Sequence, residues 1–442
     1  MKIGVIETGW WKRACEALSH QVVDLPTPSS EDGNAYTADL ESRSLNGRSL
    51  VDVLSQDPVD LLLDNGAAGL NFVRSPKAGA DVDLAHEAAG HILCSHFIDP
   101  LAAVFQKLPW ALVWPCLNAG SWIKAVWDRA IAQELGRFGV PSVVHLPMAA
   151  PNRSYNTEPL DARNTKQIVS FVGGQNTTYF ASDKTVPAKE LLSGVLAQVV
   201  HGDIPEVTYY DVYYDMYGLA EPPRPDDDLE TQVRKTAAYL NTKVFYNASL
   251  CVRNRDRFVI FLRRKLGNVF HLYGRNWDKA YGLSVHPSFP TTDEYLQHFR
   301  EAAINLNLVN GNAETGLNMR HFEITAAGGF MLCYDQPELA DHFEIGKECA
   351  VFHNEIDLLD KIDHYLNHPE ERTAIALAGQ RRTLSQHLYS HRLQTLLDIL
   401  TGAGALQEQN AATQMSNTAP PFAKSASHNP VSLDVTAGLP GR

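Results

Sequence analysis

Residues 304–334 read INLNLVNGNAETGLNMRHFEITAAGGFMLCY. Ile304, Leu306 and Leu308 alternate with Asn305 and Asn307, the period of a strand whose two faces meet unequal surroundings. A loop rich in glycine and asparagine follows. A helix is then expected from Leu317 or Asn318 to the Gly328-Gly329 pair, since glycine stops helices readily. Phe330 to Tyr334 reads as a second buried strand. Strand, loop, helix and strand in that order form the repeating unit of a parallel α/β sheet, so this stretch sets the fold class.

The alternation continues in both directions. Toward the C-terminus, residues 357–365 read as helix, and Pro369 followed by Glu370 and Glu371 opens another, with proline and negative charge where unpaired amides favour them. Ser390 is the expected cap of a last helix over 391–400. Toward the N-terminus, helices are expected at 258–266 and 292–302, and strands at 269–273 and 168–172, the latter running into Gly173-Gly174. A polar connector over 150–167 precedes it. The first part of the chain has expected strands at 3–6, 59–63, 91–96, 111–114 and 142–145, and a helix over 122–138 stopped by Gly139. Turns at Thr8-Gly9, Asp64-Asn65-Gly66, Asp99-Pro100 and 147–150 fall beyond the carboxyl ends of strands, where open α/β sheets bind ligands.

The expected organisation is a doubly wound α/β domain over 1–165 and a second over 166–400, whose final helix can cross back toward the first. An insertion or helical lobe falls near 186–248; residues 229–240 there read as helix, and the tyrosine-rich 209–217 has no assignment. Residues 401–442 hold Phe422 as their one aromatic. Such a segment buries too little apolar surface to offset its ordering entropy, and a disordered tail is expected.

Composition narrows the function. Fifty-one acidic residues against 38 basic ones give a formal charge of -13, which repels polyanions and argues against nucleic acid as a partner. The six cysteines have no C-x-x-C spacing, so neither a disulfide framework nor a thiolate zinc site is expected, and a reducing, cytoplasmic setting fits. No signal-peptide pattern and no apolar run of about 18 residues is found, so no transmembrane span is expected, while peripheral membrane association stays open. Residues 3–9 lack a G-x-G-x-x-G run, which disfavours a dinucleotide oxidoreductase.

The loop and helix at 311–332 carry the richest chemistry. A helix start beyond a strand offers free amides and a positive dipole end to a diphosphate. Arg320 adds a forked donor for phosphate oxygens. Glu323, three residues on, shares its helix face and could accept ribose hydroxyls; an ordinary surface ion pair has the same spacing. Asn318, Gly173, Gly174, Arg275 and Asn276 are the other candidates to line the same ligand site. In the first domain, Asp64, His91, His96 and Asp99 stand near strand ends, where a carboxylate or neutral imidazole could take a proton from an acceptor hydroxyl. Asp99 is preferred because it follows its strand directly, with a turn-forming aspartate as the competing reading. His86, His91 and His96 approach a helical spacing, but the apolar run between them fits a strand and lacks an acidic partner, so no metal ligands are assigned.

The run from Ile304 to Arg392, through INLNL, NMRHFEITAAGGFML, FEIGKECAVF, HPEERTAIALAGQRR and HLYSHR, resembles the C-terminal signature of glycosyltransferases related to spore maturation proteins. That group is similar to family-4, GT-B-type transferases. VVHLPMAA, VSFVGG and YGRNW, the last at Tyr273 to Trp277, resemble it more loosely. The resemblance implies a GT-B-like α/β fold of two facing Rossmann-like domains with parallel sheets. It implies a nucleotide-sugar donor held chiefly by the second domain, with a glycan, protein or lipid-linked acceptor approached by the first. No cofactor is implied beyond the nucleotide-sugar, which is a substrate, and no DxD-bound metal. Glu323 matches the second glutamate of the family's paired motif, which contacts ribose; the first falls at Thr315, with Glu314 one residue earlier. The implied activity is sugar transfer. A nucleotide-sugar epimerase or hydrolase, or a noncatalytic GT-B-like binding protein, are the alternatives, since one fold can serve all three.

Overall fold

The computed structural model describes residues 1–6, 9–27, 38–77, 82–99, 101–105, 108–158, 165–175, 223–224 and 226–403. Two compact units divide them. The first takes the described parts of 1–147, 208–243 and 389–442, and the second those of 148–207 and 244–388.

In the first unit, β1 (Lys2–Val5), β2 (Gln21–Asp24), β3 (Leu61–Asn65), β4 (Leu93–Phe97), β5 (Trp122–Val126) and β6 (Val143–His145) form one sheet in the order β2-β1-β3-β4-β5-β6. Every pairing is parallel, with registers such as Asn65 beside His96. The order reverses direction between β1 and β3, so their carboxyl ends flank a switch point, the usual ligand crevice of such sheets. Two expectations fail here. Residues 111–114 lie in a helix, Trp110–Leu117, that buries Ala111, Leu112, Val113, Trp114, Cys116 and Leu117. Burial on nearly every side removes the periodicity that separates a short buried helix from a strand. Residues 122–138 are not one helix: β5 comes first, fully buried, and the helix Arg129–Arg137 starts only after Asp128, whose Oδ1 accepts from the amides of Ala130 and Ile131 at 3.0 and 3.2 Å. A central parallel strand reads as a continuous apolar run. Lys124 fits inside it because its Nζ donates to the carbonyls of Ala119 and Pro141, both at 2.9 Å.

The last helix, Tyr389–Gly402, begins one residue before Ser390, which is buried within it rather than capping it. It packs on the helix Gly9–Ala17. The Tyr389 ring lies 5.5 Å from Trp10 and 5.2 Å from Trp11, so the first residue of this helix is packed among aromatic rings. The expected tail lies outside the described residues from 404 onward, as do Thr8, Pro100, the tyrosine-rich stretch at 209–217 and residues 186–222 of the expected insertion.

The second unit has β7 (Lys166–Val172), β8 (Phe270–Tyr273), β9 (Ala302–Asn307), β10 (Met331–Tyr334) and β11 (Ala350–Phe352), ordered β11-β10-β9-β7-β8 and again all parallel. Its switch point lies between β7 and β9. The faces of β9 are not unequal: all six of its residues are buried. The Asn305 Nδ2 donates to the carbonyls of Phe299 and Phe330 at 2.7 and 3.2 Å, which offsets the cost of burying the donor half of its amide, while its Oδ1 is buried without a hydrogen-bond partner. The helix expected at 229–240 extends over Leu229–Cys251, with its residues up to 243 counted in the first unit and the rest in the second, and it widens into a π-helical turn at Val252–Asp256 before continuing as Arg257–Leu266. Phe171, Phe258, Leu262, Leu272, Trp277 and Ile304 form the centre of the core. Both units are therefore parallel-sheet, Rossmann-like α/β domains, the fold class expected of a GT-B-like chain.

Candidate functional site

The second unit's switch point is built from three strand ends. After β7, Gly173 and Gly174 continue beside β8: the Gly173 amide donates to the Tyr273 carbonyl at 3.0 Å, and the Gln175 amide to Arg275 at 2.9 Å. Trp277 Nε1 donates to the Gly173 carbonyl at 2.7 Å. Arg275 and Asn276 are exposed at the end of β8, and Asn276 adopts a left-handed φ of 69°. After β9, the chain passes Leu308 and Gly311 to the helix Met319–Ala326.

Arg255 ties two of these ends together. Its guanidinium donates to the Gly174 carbonyl at 2.9 Å and to the Leu308 carbonyl at 3.0 Å. Only 6% of the residue is exposed. Burial lowers its pKa, against the pull of Asp256, and Arg320 pushes in the same direction as burial. Two cations thus stand at the carboxyl edge of β7. Arg320 donates to the Val172 carbonyl, sits 5.5 Å from the Tyr295 ring centre, and pairs with Glu323 at 3.5 Å. Glu323 Oε2 accepts from Tyr295 Oη at 2.7 Å. Side-chain exposures of 28% for Arg320 and 16% for Glu323 separate the pair from an ordinary solvated surface bridge.

Asn318 occupies the N-cap position but does not cap the helix with its side chain. Its Oδ1 instead meets Asn307 Nδ2 at 3.3 Å and His321 Nδ1 at 3.0 Å. Thr315, where the family pattern has a glutamate, donates from Oγ1 to Glu338 Oε1 at 2.6 Å, and Glu338 is 2% exposed. Glu314 is half-buried beside it. Arg255 and Glu338 are absent from the sequence-derived candidates. For Arg255 a signal existed, since it falls at helical spacing from Cys251, Phe258, Val259 and Leu262, all buried. For Glu338 there was none.

In the first unit the four candidates do not form one cluster. Asp64 is fully buried in β3 and accepts the Gly69 amide at Oδ2, so it shapes the turn after its strand. His96 pairs in register with Asn65, contacts the Leu146 carbonyl through Nε2 at 2.9 Å, and is held by burial at a pKa of about 4. A base that weak leaves little driving force for proton abstraction near neutrality. His91 precedes β4 at the amino end of the sheet, bonded to the backbone of Val59 and Leu54. That position is a correction to its placement among strand-end candidates: its ring tethers the start of the strand. Asp99 is half-buried beyond β4, and desolvation pushes its carboxyl up to about 6, which suits a base near neutral pH. Among the described residues, no group of three or more His, Cys, Asp or Glu side chains could hold a metal ion, and no helix is long and apolar enough to cross a membrane.

Burial makes acid stability a readable property. Burial lowers His86 and His321 to about 3, and His96 and His298 to about 4. Below about pH 6.5 the unfolded chain takes up protons that these folded sites refuse, so each costs stability as pH falls, by up to about 1.4 kcal/mol per pH unit. Asp99 and Glu134, raised by burial, act in the opposite sense. His91, His271 and His391 are lowered by burial too, so the imidazoles outweigh the two raised carboxyls and a lower urea midpoint is expected at pH 5 than at pH 7.5. An unchanged or higher midpoint at pH 5 would show that these imidazoles titrate normally in the folded chain.

Residues 253–398 match a family model described as glycosyl transferase-like. The match carries that broad description and does not single out spore maturation proteins or family 4. No curated protein matches the chain. Among solved structures, the chain is similar to sucrose-phosphate synthase from Thermosynechococcus elongatus, with 12% identity, 95% of this chain and 100% of that one covered, and a TM-score of 0.46. It is also similar to α,α-trehalose 6-phosphate synthase from Burkholderia multivorans, with 11% identity, coverage of 96% and 99%, and a TM-score of 0.43. A third likeness is to Anabaena HepE in complex with UDP, with 11% identity, coverage of 91% and 100%, and a TM-score of 0.42. These are likenesses only, and the fold class rests on the two sheet orders.

Proposed function

We propose that the chain is a glycosyltransferase that takes a sugar from a nucleotide-sugar donor held by its second unit. The observation that carries this reading is the pair of cations, Arg255 and Arg320, at the carboxyl edge of β7, with Glu323 beside Arg320. Positive charge at a switch point suits a diphosphate, and a half-buried carboxylate alongside suits ribose hydroxyls. The match of residues 253–398 to a glycosyl transferase-like model supports the same assignment. In the proposed reaction the bond from the anomeric carbon to the diphosphate oxygen breaks and the acceptor oxygen bonds to that carbon. The acceptor proton passes to a base, for which Asp99 is the first-unit candidate. Arg320 and Arg255 stabilise the charge left on the diphosphate.

Product analysis tests the reading. Purified chain is incubated with uridine, guanosine, thymidine and cytidine nucleotide sugars and with saccharide, protein and lipid-linked acceptors. Sugar joined to an acceptor, with release of the nucleoside diphosphate, is the expected result. An isomerised donor or free sugar without transfer would move the assignment to an epimerase or hydrolase. Binding without turnover would make the chain a binding protein.

A further inference from the structure

The helix Arg257–Leu266, RFVIFLRRKL, buries Phe258, Val259 and Leu262 in the core of the second unit. Ile260 and Phe261 remain half-exposed on its other side, and Arg264 and Lys265 are exposed. Between Val252, Ile260, Phe261 and Tyr281 lies a cavity of about 390 Å³ with almost wholly apolar walls. Arg257, Arg264 and Lys265 line it as well; Arg257 Nε lies 3.6 Å from Glu355 Oε1, and the exposed Arg264 and Lys265 have aliphatic stems that can cover apolar surface while the charge stays in water. Lys265 Nζ is 5.9 Å from the Phe261 ring centre.

Favourable placement at a helix C-terminus accounts for the basic residues of the last turn. It gives no reason for an apolar hollow beneath them. Nor does average composition, for a chain with a formal charge of -13 places four cations and no acid in this helix. An apolar hollow rimmed by cations complements a molecule with a hydrocarbon body and an anionic head. We propose that this face docks on anionic phospholipid at a bilayer surface, with hydrocarbon entering the hollow and the lipid phosphate meeting Arg264 and Lys265. The inference stands on different residues from the donor site and does not depend on it.

Flotation of the full chain with phosphatidylcholine vesicles, with and without phosphatidylglycerol, tests the proposal. Wild type should float only with the phosphatidylglycerol vesicles and should release at high salt, which screens exposed charge. R264Q/K265Q should lower partitioning roughly thirtyfold, at about 1 kcal/mol for each cation near an anionic surface. Phe261→Ser should also weaken it with all charges retained, and matching circular dichroism melts show that the variants are folded. Absence of vesicle binding, equal binding to neutral vesicles, or variants that float like wild type would each overturn the proposal. Sedimentation showing instead a dimer that R264Q/K265Q dissociates, without vesicle binding, would assign the face to a second copy of the chain and overturn it too.

Discussion

Gly274→Ala should destabilise the folded chain by about 3 kcal/mol or more. Gly274 has φ +128°, and a Cβ there would lie 2.3 Å from the Gly173 carbonyl oxygen and 2.5 Å from its carbon. A side chain in a glycine-only backbone region costs about 1 to 3 kcal/mol. Overpacking against backbone, which cannot rotate aside, costs about as much again. The displaced group is the acceptor for Trp277 Nε1 and directly precedes the acceptor for Arg255, so ligand binding should fall with stability. Gly282→Ala is the matched control. It also has positive φ, +65°, but nothing lies within 4 Å of its added Cβ, and its cost should be about 1 kcal/mol. Urea unfolding of both variants measures the difference, and equal midpoints would show that the close approach at Gly274 relaxes without penalty.

Arg320→Ala and Glu323→Gln should each lower kcat/KM for the cognate donor tenfold or more. On the proposed donor site, each variant would lose a charge-assisted interaction with a different part of one ligand, a contribution of about 1.5 to 3 kcal/mol. The existing contacts make the two variants separable. Glu323→Gln leaves a carbonyl oxygen that can still accept from Tyr295 Oη, so its loss reads the charge. Arg320→Ala removes both the ion pair and the bond to the Val172 carbonyl, so its folding must be checked alongside. Steady-state kinetics with folded variants is the measurement. Wild-type kcat/KM in both would reduce Arg320 and Glu323 to a structural pair.

Much of this arrangement was legible in residues 304–334, because strand, glycine-rich loop, helix and glycine stop each left a local mark. The observed helix Met319–Ala326 begins within two residues of its expected start, and Gly328 takes the left-handed φ of +79° that a helix stop favours. Where partners are distant in sequence, local signals failed. The asparagines of β9 read as a polar face, yet Asn305 is buried with its Nδ2 donating to the carbonyls of Phe299 and Phe330. Residues 111–114 read as a strand because the helix that holds them, Trp110–Leu117, is buried nearly throughout. The candidate site divides along the same line. Arg320 and Glu323 were legible because they are three residues apart on one helix. Glu338 meets Thr315 across 23 residues, and Arg255 reaches Gly174 and Leu308 across 81 and 53. His91 shows the converse: proximity to a strand was legible, but the end of the sheet it occupies was not.

The most direct test of the central claim is calorimetric titration of the intact chain with uridine, guanosine, thymidine and cytidine diphosphate sugars. The expected result is saturable binding at one site per chain for one base, displaced by the matching nucleoside diphosphate and weakened tenfold or more in folded Arg320→Ala. No binding to any of the four, or binding that Arg320→Ala leaves unchanged, would contradict the assignment of the β7 carboxyl edge as a nucleotide-sugar site.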